Sequence, residues 1–363
     1  MKILVTGGTG YIGSHYIIEQ IRNTDWEIVS IDNYLNSSPR TIDRIEKITG
    51  RKIKNYEIDL RDKKSTLKFF EDTGNIDGIV HFAALKSVPE SVDVPLLYYE
   101  NNINGLLNIL SAVEQFQIPY FIFSSSSSIY GNVKKLPVNE KTPMGYAESP
   151  YAHTKQIGEG ITEHFYRKNK NLKGISLRYF NPVGADKTGL NGEDPINLPT
   201  NLVPVITQVA SGLLPQLTVY GDDWNTRDGT CIRDYIHVSD IAEAHIKALE
   251  YLMSKETSRT DVTSAREEGM EGKSTREDKH EKNYEIFNLG TGNGVSVLEA
   301  VNAFEKTTGV KLNYRIGSRR AGDTEAVYSD NTLTESRLRW KPERDIEEMM
   351  RSAWKWQQHL NEE

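Results

Sequence analysis

A doubly wound parallel α/β sheet with a smaller C-terminal substrate-binding lobe is the fold that this 363-residue sequence predicts. Three observations carry the prediction. Short apolar runs alternate with amphipathic helical stretches through the first half of the chain. A glycine-rich turn sits at the first strand–helix junction. An acidic residue closes the second strand.

Lys2 to Thr6 is a short apolar strand, followed by Gly7-Gly8-Thr9-Gly10-Tyr11-Ile12-Gly13 and a helical pattern through Arg22. Glycines 7, 10 and 13 allow a tight turn, close approach to a pyrophosphate and close helix–strand packing. The amides of Tyr11 and Ile12, at the helix start, face an anion favoured by the helix dipole. A glycine-rich turn alone is a frequent false positive, but this one has a strand before it, a helix after it, a second strand at Trp26–Ile31 and an acid, Asp32, about twenty residues on. Asp32 is placed to accept from adenosine ribose hydroxyls, and its charge would repel a 2′-phosphate, so NAD is favoured over NADP.

Further strands are expected at Asn55–Ile58, Asp77–Phe82, Pro119–Ser124 and Gly174–Tyr179, with helices near Lys64–Phe70, Pro95–Phe116 and Pro150–Asn169. In such a Rossmann-type sheet, ligands lie beyond the carboxyl ends of the strands. Asp59-Leu60, then Phe82-Ala83-Ala84-Leu85-Lys86, then Ser124-Ser125-Ser126 fall there. Ala83 and Ala84 could let a flat ligand lie against the backbone or could simply pack. The first domain is expected at 1–183, and 184–363 is expected to be mainly a substrate lobe rich in Gly, Pro and Asn.

In Ser149-Pro150-Tyr151-Ala152-His153-Thr154-Lys155, Ser149 suits an N-cap and Pro150 the first helical turn. Tyr151 and Lys155 then share a helix face. A nearby cation and the helix dipole both favour phenolate, so the phenol is expected to be depressed toward general-base range. Taken alone, this spacing occurs on many exposed helices.

Combined with the Gly-x-x-Gly-x-x-Gly turn and a serine after the fifth strand, the Tyr-x-x-x-Lys pair resembles the extended short-chain dehydrogenase/reductase family. Several stretches look like the UDP-glucose 4-epimerase branch of that family. They are 81–86 (His-Phe-Ala-Ala-Leu-Lys), 98–102 (Tyr-Tyr-Glu-Asn-Asn), 178–185 (Arg-Tyr-Phe-Asn-Pro-Val-Gly-Ala), 228–238 and Arg319-Arg320-Ala321-Gly322-Asp323, in family order across nearly the whole chain. The resemblance implies an NAD-dependent enzyme acting on a UDP-sugar through a 4-keto intermediate. Tyr151 would be the base, Lys155 would hold the nicotinamide ribose, and Ser126 would bond the reacting oxygen. Asn33, Asn36, Ser37, Asp59, Leu60, Phe82, Lys86, Asn101, Ser124 and Phe180 would join the glycine turn, Ala83, Ala84 and Asp32 around the cofactor. Lys86, Asn181, Asn201, Leu202, Tyr220, Arg233, Arg320 and Asp323 would hold the nucleotide sugar. Arginines suit a diphosphate, although without the flanking motif Arg233 would read as paired with Asp234. Val327 falls where a tyrosine narrows the pocket in members restricted to glucose and galactose, so N-acetylated UDP-sugars are a further expectation. The resemblance also implies a homodimer through the helices near 95–116 and 150–169.

Sugar-nucleotide dehydratases and uronate decarboxylases share the glycine turn and the Tyr/Lys pair, but the stretch Ser126-Ser127-Ser128-Ile129-Tyr130-Gly131 lacks the acid that dehydration needs. Uronate 4-epimerases share the serine run and lack the 181–185 stretch. A non-catalytic NAD-binding regulator would be expected to lose the Tyr/Lys pair. A net charge of −7 gives no reason to expect a nucleic-acid or membrane partner. One cysteine, Cys231, excludes an internal disulfide and reads as packing. No signal peptide or bilayer-length apolar run is visible, and a reducing, cytoplasmic setting is expected. The eight histidines show no metal-type clustering. His81 reads as core and His153 as solvent-facing. Residues 254–282 hold seven Lys/Arg and eight Asp/Glu and are expected to form a solvated, disordered or partly helical insertion.

Overall fold

The computed structural model describes residues 1–267, 282–320 and 323–363. Thirteen strands are assigned among them: β1 Lys2–Thr6, β2 Glu27–Ile31, β3 Asn55–Tyr56, β4 Gly78–His81, β5 Tyr120–Ser126, β6 Lys173–Tyr179, β7 Asn181–Val183, β8 Leu217–Tyr220, β9 Ile232–His237, β10 Tyr284–Leu289, β11 Gly294–Ser296, β12 Tyr314–Gly317 and β13 Ala326–Val327. Seven form one sheet in the order β10-β6-β5-β4-β1-β2-β3, and every pairing in it is parallel.

The sheet is buried on both faces, as a parallel sheet with crossover helices must be. Side chains alternate accordingly: Ile3 and Val5 of β1 enter one core with Ile17, Ile122 and Ile241, whereas Leu4 enters the other with Ile79, Phe121 and Leu106. Strand order reverses direction between β1 and β4, and this switch point sets the main cleft.

The second half of the chain is not confined to a lobe. Strand β10 extends the main sheet beside β6, and the Val238–Glu267 helix contributes Ile241, Ala244 and Leu249 to the first core. The lobe proper is built around β9, which pairs β7, β11 and β13. A separate β8/β12 pair and an apolar cluster including Ile206, Val219, Phe304 and Met350 complete it.

The fifth strand runs further than expected. The serines at 124–126 lie within β5, paired in register with Leu177, Arg178 and Tyr179. Serine has little intrinsic preference for strands, but here each hydroxyl finds an internal partner. The charged stretch 254–282 begins as a continuation of the Val238–Glu267 helix, in keeping with its Glu, Lys and Arg residues. Its remainder, 268–281, lies outside the described residues, as do Ala321 and Gly322. Among the described residues no helix is long and apolar enough to cross a membrane.

Candidate active site

The glycine turn forms a cradle with no room for a Cβ at Gly7, Gly8 or Gly13. Gly7 takes φ +72°, and a Cβ there would lie 2.7 Å from the Ala83 amide nitrogen. A Cβ on Gly13 would lie 2.1 Å from the Gly7 carbonyl oxygen. The Tyr11–Asn23 helix starts at Gly10 without a side-chain cap, so its first amides remain available to an anion. On the second strand, Asp32 accepts from the Thr9 amide (3.1 Å), the Tyr34 amide (2.9 Å) and the Ser37 hydroxyl (2.9 Å). These take about three of the roughly four acceptor positions a carboxylate offers, leaving one for a ribose hydroxyl. Uncapped amides, a ribose acceptor and a turn with no room for a Cβ at Gly7 or Gly13 together fit a dinucleotide.

A cleft runs from this cradle across the switch point. Its walls include Gly7, Gly10, Tyr11, Ile12, Gly13, Asp32, Asn33, Asn36, Ser37, Asp59, Leu60, Phe82, Ala83, Ala84, Lys86 and Asn101, and its inner end carries Tyr151 and Lys155. Two expected cofactor residues lie elsewhere. Phe180 is buried with Ile129, Tyr130 and Val138. The Ser124 hydroxyl is engaged with His245 Nε2 at 3.2 Å, and its carbonyl accepts from Lys155 Nζ. Ile31, Leu35, Ile58, Gly105 and Tyr179 also line the cleft. Ile31, Ile58 and Tyr179 sit at or just past strand ends, the signal that could have found them.

The Pro150–Lys168 helix begins as its sequence requires: the Ser149 hydroxyl accepts from the Ala152 amide at 3.2 Å, with Pro150 in the first turn. Asn102 bonds both the Leu85 backbone (2.8 and 3.0 Å) and the Thr154 hydroxyl (3.1 Å), which locks this helix start to the loop after β4. Tyr151, Lys155 and Ser126 are all buried. Lys155 Nζ donates to the Ser124 carbonyl at 2.7 Å and lies 5.9 Å from the Tyr151 ring centroid.

The electrostatics correct one expectation. Burial pushes the Tyr151 phenol up, and its hydrogen bond with Ser126 opposes that rise. Burial also pushes Lys155 down to about 8, with the Glu159 carboxylate acting against it. Desolvation penalises both charged forms and here outweighs the helix start and a lysine at this distance. His81 is a buried core residue whose imidazole burial pushes down to about 3, while His153 is exposed and bonds the Tyr99 hydroxyl at 2.8 Å. Cys231 is buried, and burial raises its thiol.

The residues expected around the sugar nucleotide fall into two groups. Arg320 bonds Asp323 at 2.9 Å and lies 5.3 Å from the Tyr220 ring centroid, and Arg233 approaches the same Asp323 at 3.6 Å. Arg233 therefore does not pair with Asp234, whose carboxylate is taken by Thr291, Gly292 and Ser329. The second group centres on Glu193, which no motif singled out: Lys86 donates to it at 2.7 Å and Asn201 at 3.3 Å. Leu202 opens the following helix, and Asn181 lies in β7 opposite Tyr235. Val327 pairs with Arg233 in register and packs against the cluster containing Phe180 and Tyr130.

A dinucleotide cradle leading to a buried tyrosine, lysine and serine defines a nucleotide-dependent redox enzyme of the doubly wound α/β class. Residues 4–353 match the GDP-mannose 4,6 dehydratase family. UDP-glucose 4-epimerase of Erwinia amylovora is 43% identical over 357 residues, covering 98% of each chain. The Drosophila melanogaster enzyme of the same name is 42% identical over 361 residues, covering 98% of this chain and 96% of that one. Among solved structures, UDP-glucose-4-epimerase from Stenotrophomonas maltophila, with bound NAD and formylated UDP-arabinopyranose, superposes with TM-score 0.89 at 39% identity over 100% of this chain and 99% of that one. The Bifidobacterium longum enzyme, in complex with NAD+ and UDP, gives 0.87 at 39% identity over 99% of both chains. The chain belongs to the UDP-glucose 4-epimerases of this extended short-chain dehydrogenase/reductase family.

Proposed function

We propose that this chain interconverts UDP-glucose and UDP-galactose by oxidation and re-reduction at sugar carbon 4, with NAD as a resident cofactor. The observation that carries the reading is the placement of Tyr151 and Lys155 on the wall of a dinucleotide cleft, with the Ser126 side chain hydrogen-bonded to Tyr151. NAD, when bound, supplies the acceptor and donor for the hydride of carbon 4. Tyr151 takes the proton of the C4 hydroxyl as the 4-keto sugar forms and returns it on reduction. Ser126 bonds Tyr151 and is placed to hold the reacting oxygen, and Lys155 supplies positive charge beside the phenol. Burial of all three keeps bulk water from the ketone.

Lys86, Asn181, Asn201, Leu202, Tyr220, Arg233, Arg320 and Asp323 are proposed to grip the nucleotide diphosphate, which lets the ketone turn over while its carrier stays bound. The stretch 126–131 contains no acid, which favours epimerisation over the elimination named in the family description. A second reading extends the substrate range: Val327 lies beside Arg233 where a larger side chain would narrow the site, which favours acceptance of N-acetylated UDP-sugars as well. We also place the enzyme in the cytoplasm, as a homodimer through the Pro95–Gln115 and Pro150–Lys168 helices.

The test uses UDP-glucose deuterated at carbon 4. Retention of the label in UDP-galactose formed in ordinary water is the expected result; washout into solvent would contradict the scheme.

A further inference from the structure

The helix face that carries Tyr151 and Lys155 carries a third side chain at the same interval of four, Glu159, which the scheme above leaves without a role. Its carboxylate is 1% exposed. It accepts from the Ser125 hydroxyl at 2.5 Å, from Arg178 Nε at 2.9 Å and from a terminal nitrogen of Arg178 at 2.6 Å. Ser125 and Arg178 are register partners on β5 and β6. Three consecutive serines therefore meet three successive positions of one helix face. The Ser126 hydroxyl bonds Tyr151, the Ser124 carbonyl holds the Lys155 ammonium, and the Ser125 hydroxyl holds Glu159. Arg178 is anchored in turn by the Tyr130 hydroxyl at 3.0 Å, and that hydroxyl donates to Asn288 at 2.6 Å.

A buried arginine–carboxylate pair can exist for packing alone, and such pairs are weak evidence for stability. This one lies one helical turn from an ammonium whose own hydrogen bond goes to a neutral carbonyl, in an interior where charges are poorly screened. We propose that Glu159 is a positioning residue for the reaction: clamped by Ser125 and Arg178, its carboxylate keeps Lys155 in place as a cation beside Tyr151. This rests on the assignment of Tyr151 and Lys155 above.

The surroundings of Lys155 leave that task to Glu159. On β4, His81 is held neutral by burial. On β6, Tyr179 is pushed well up by burial, and Arg178 carries positive charge that works against the lysine. Tyr130 is pushed up to about 12 by burial, and Tyr284 on β10 is also raised by burial. Tyr151 on the same helix is raised as well. Of the groups named here, Glu159 alone is a carboxylate. Burial already brings Lys155 down to about 8, so loss of the carboxylate would discharge it within the working range.

The experiment follows kcat against pH in Glu159→Gln, in Glu159→Gln combined with Arg178→Gln, and in Glu159→Asp. The double variant removes the stranded arginine charge and so keeps a folded protein in the series. Glu159→Gln should move the alkaline limb acidward by about one pH unit, the effect expected when a nearby opposite charge is lost, and the double variant, which also removes the opposing Arg178 charge, should move it in the same direction by a smaller step. KM should change little. Glu159→Asp disturbs packing but keeps the charge, and its limb should stay in place. Selective 15N labelling of lysine Nζ, assigned with Lys155→Arg, should show the same acidward movement of the Lys155 titration. A folded Gln variant with uniformly lower kcat, an unmoved limb and an unmoved Lys155 titration would overturn the proposal. A folded wild type inactive at every pH would instead count against the reading of the active site.

Discussion

The cofactor side and the sugar side of this molecule are built on different physical terms. The cofactor cleft is backbone-defined: glycines that admit no Cβ, an uncapped helix start, and small residues at strand ends of one continuous sheet. The sugar side is defined by charged side chains from scattered segments, which here satisfy one another as Arg233–Asp323–Arg320 and Lys86–Glu193–Asn201. One site is shaped before its ligand arrives, whereas on the proposed reading the other exchanges ion pairs to accept a diphosphate. Substitutions on the first should therefore change what is bound permanently or what reacts. Those on the second should change how tightly substrate is held.

Four substitutions or conditions probe this contrast. Tyr151→Phe should lower kcat by about 10²–10⁴-fold, the usual contribution of a general base, while the purified protein retains its NAD; near-normal turnover would remove Tyr151 from its role. Gly13→Ala places a methyl group 2.1 Å from a backbone oxygen, so the protein should purify with little NAD, as read from nucleotide released on denaturation. Arg233→Met should raise KM for the UDP-sugar by about 10- to 100-fold, the scale of one or two lost charged hydrogen bonds, with kcat far less affected. A comparable fall in kcat would mean that the sugar side also shapes the reacting centre. In wild type, kcat should decline as pH rises through about 8, where the buried Lys155 loses its proton. The sign follows from the burial-depressed lysine, whose cation is present below that value and lost above it.

The narrowest expected effect, confined to substrate preference, concerns Val327. Val327→Tyr should shift preference away from N-acetylated UDP-sugars by about 10- to 200-fold, the range for steric discrimination in a pocket. Turnover of UDP-glucose should be largely preserved. A wild type that ignores N-acetylated sugars would remove this extension without touching the main reaction.

The same contrast explains what could be read from sequence. Backbone requirements leave local signatures, so Gly7, Gly10, Gly13, Asp32 and the Ser149–Lys155 helix start were legible, and Gly7, Gly10, Gly13, Asp32, Tyr151 and Lys155 line one cleft. The arginines became legible only through the resemblance of their flanking motifs, because an isolated Arg-Asp dipeptide suggests its nearest neighbour, and Arg233 in fact approaches Asp323. Glu193 and Glu159 gave no signal at all. Their roles depend on partners 107 residues away in the case of Lys86 and 34 in the case of Ser125. The strand assignment of Ser124–Ser126 was obscured for a related reason, since tertiary hydrogen bonds override serine's propensity. Burial also reversed the expected direction for Tyr151, because the sequence shows charge and spacing but not desolvation.

The most direct measurement incubates the purified protein, without added NAD, with UDP-galactose and follows UDP-glucose by a coupled assay, with bound nucleotide quantified in the same sample. Steady conversion at a near-stoichiometric content of NAD is the predicted result. Absence of conversion while NAD is bound would contradict the account and point to a different sugar or a non-catalytic role for the cleft.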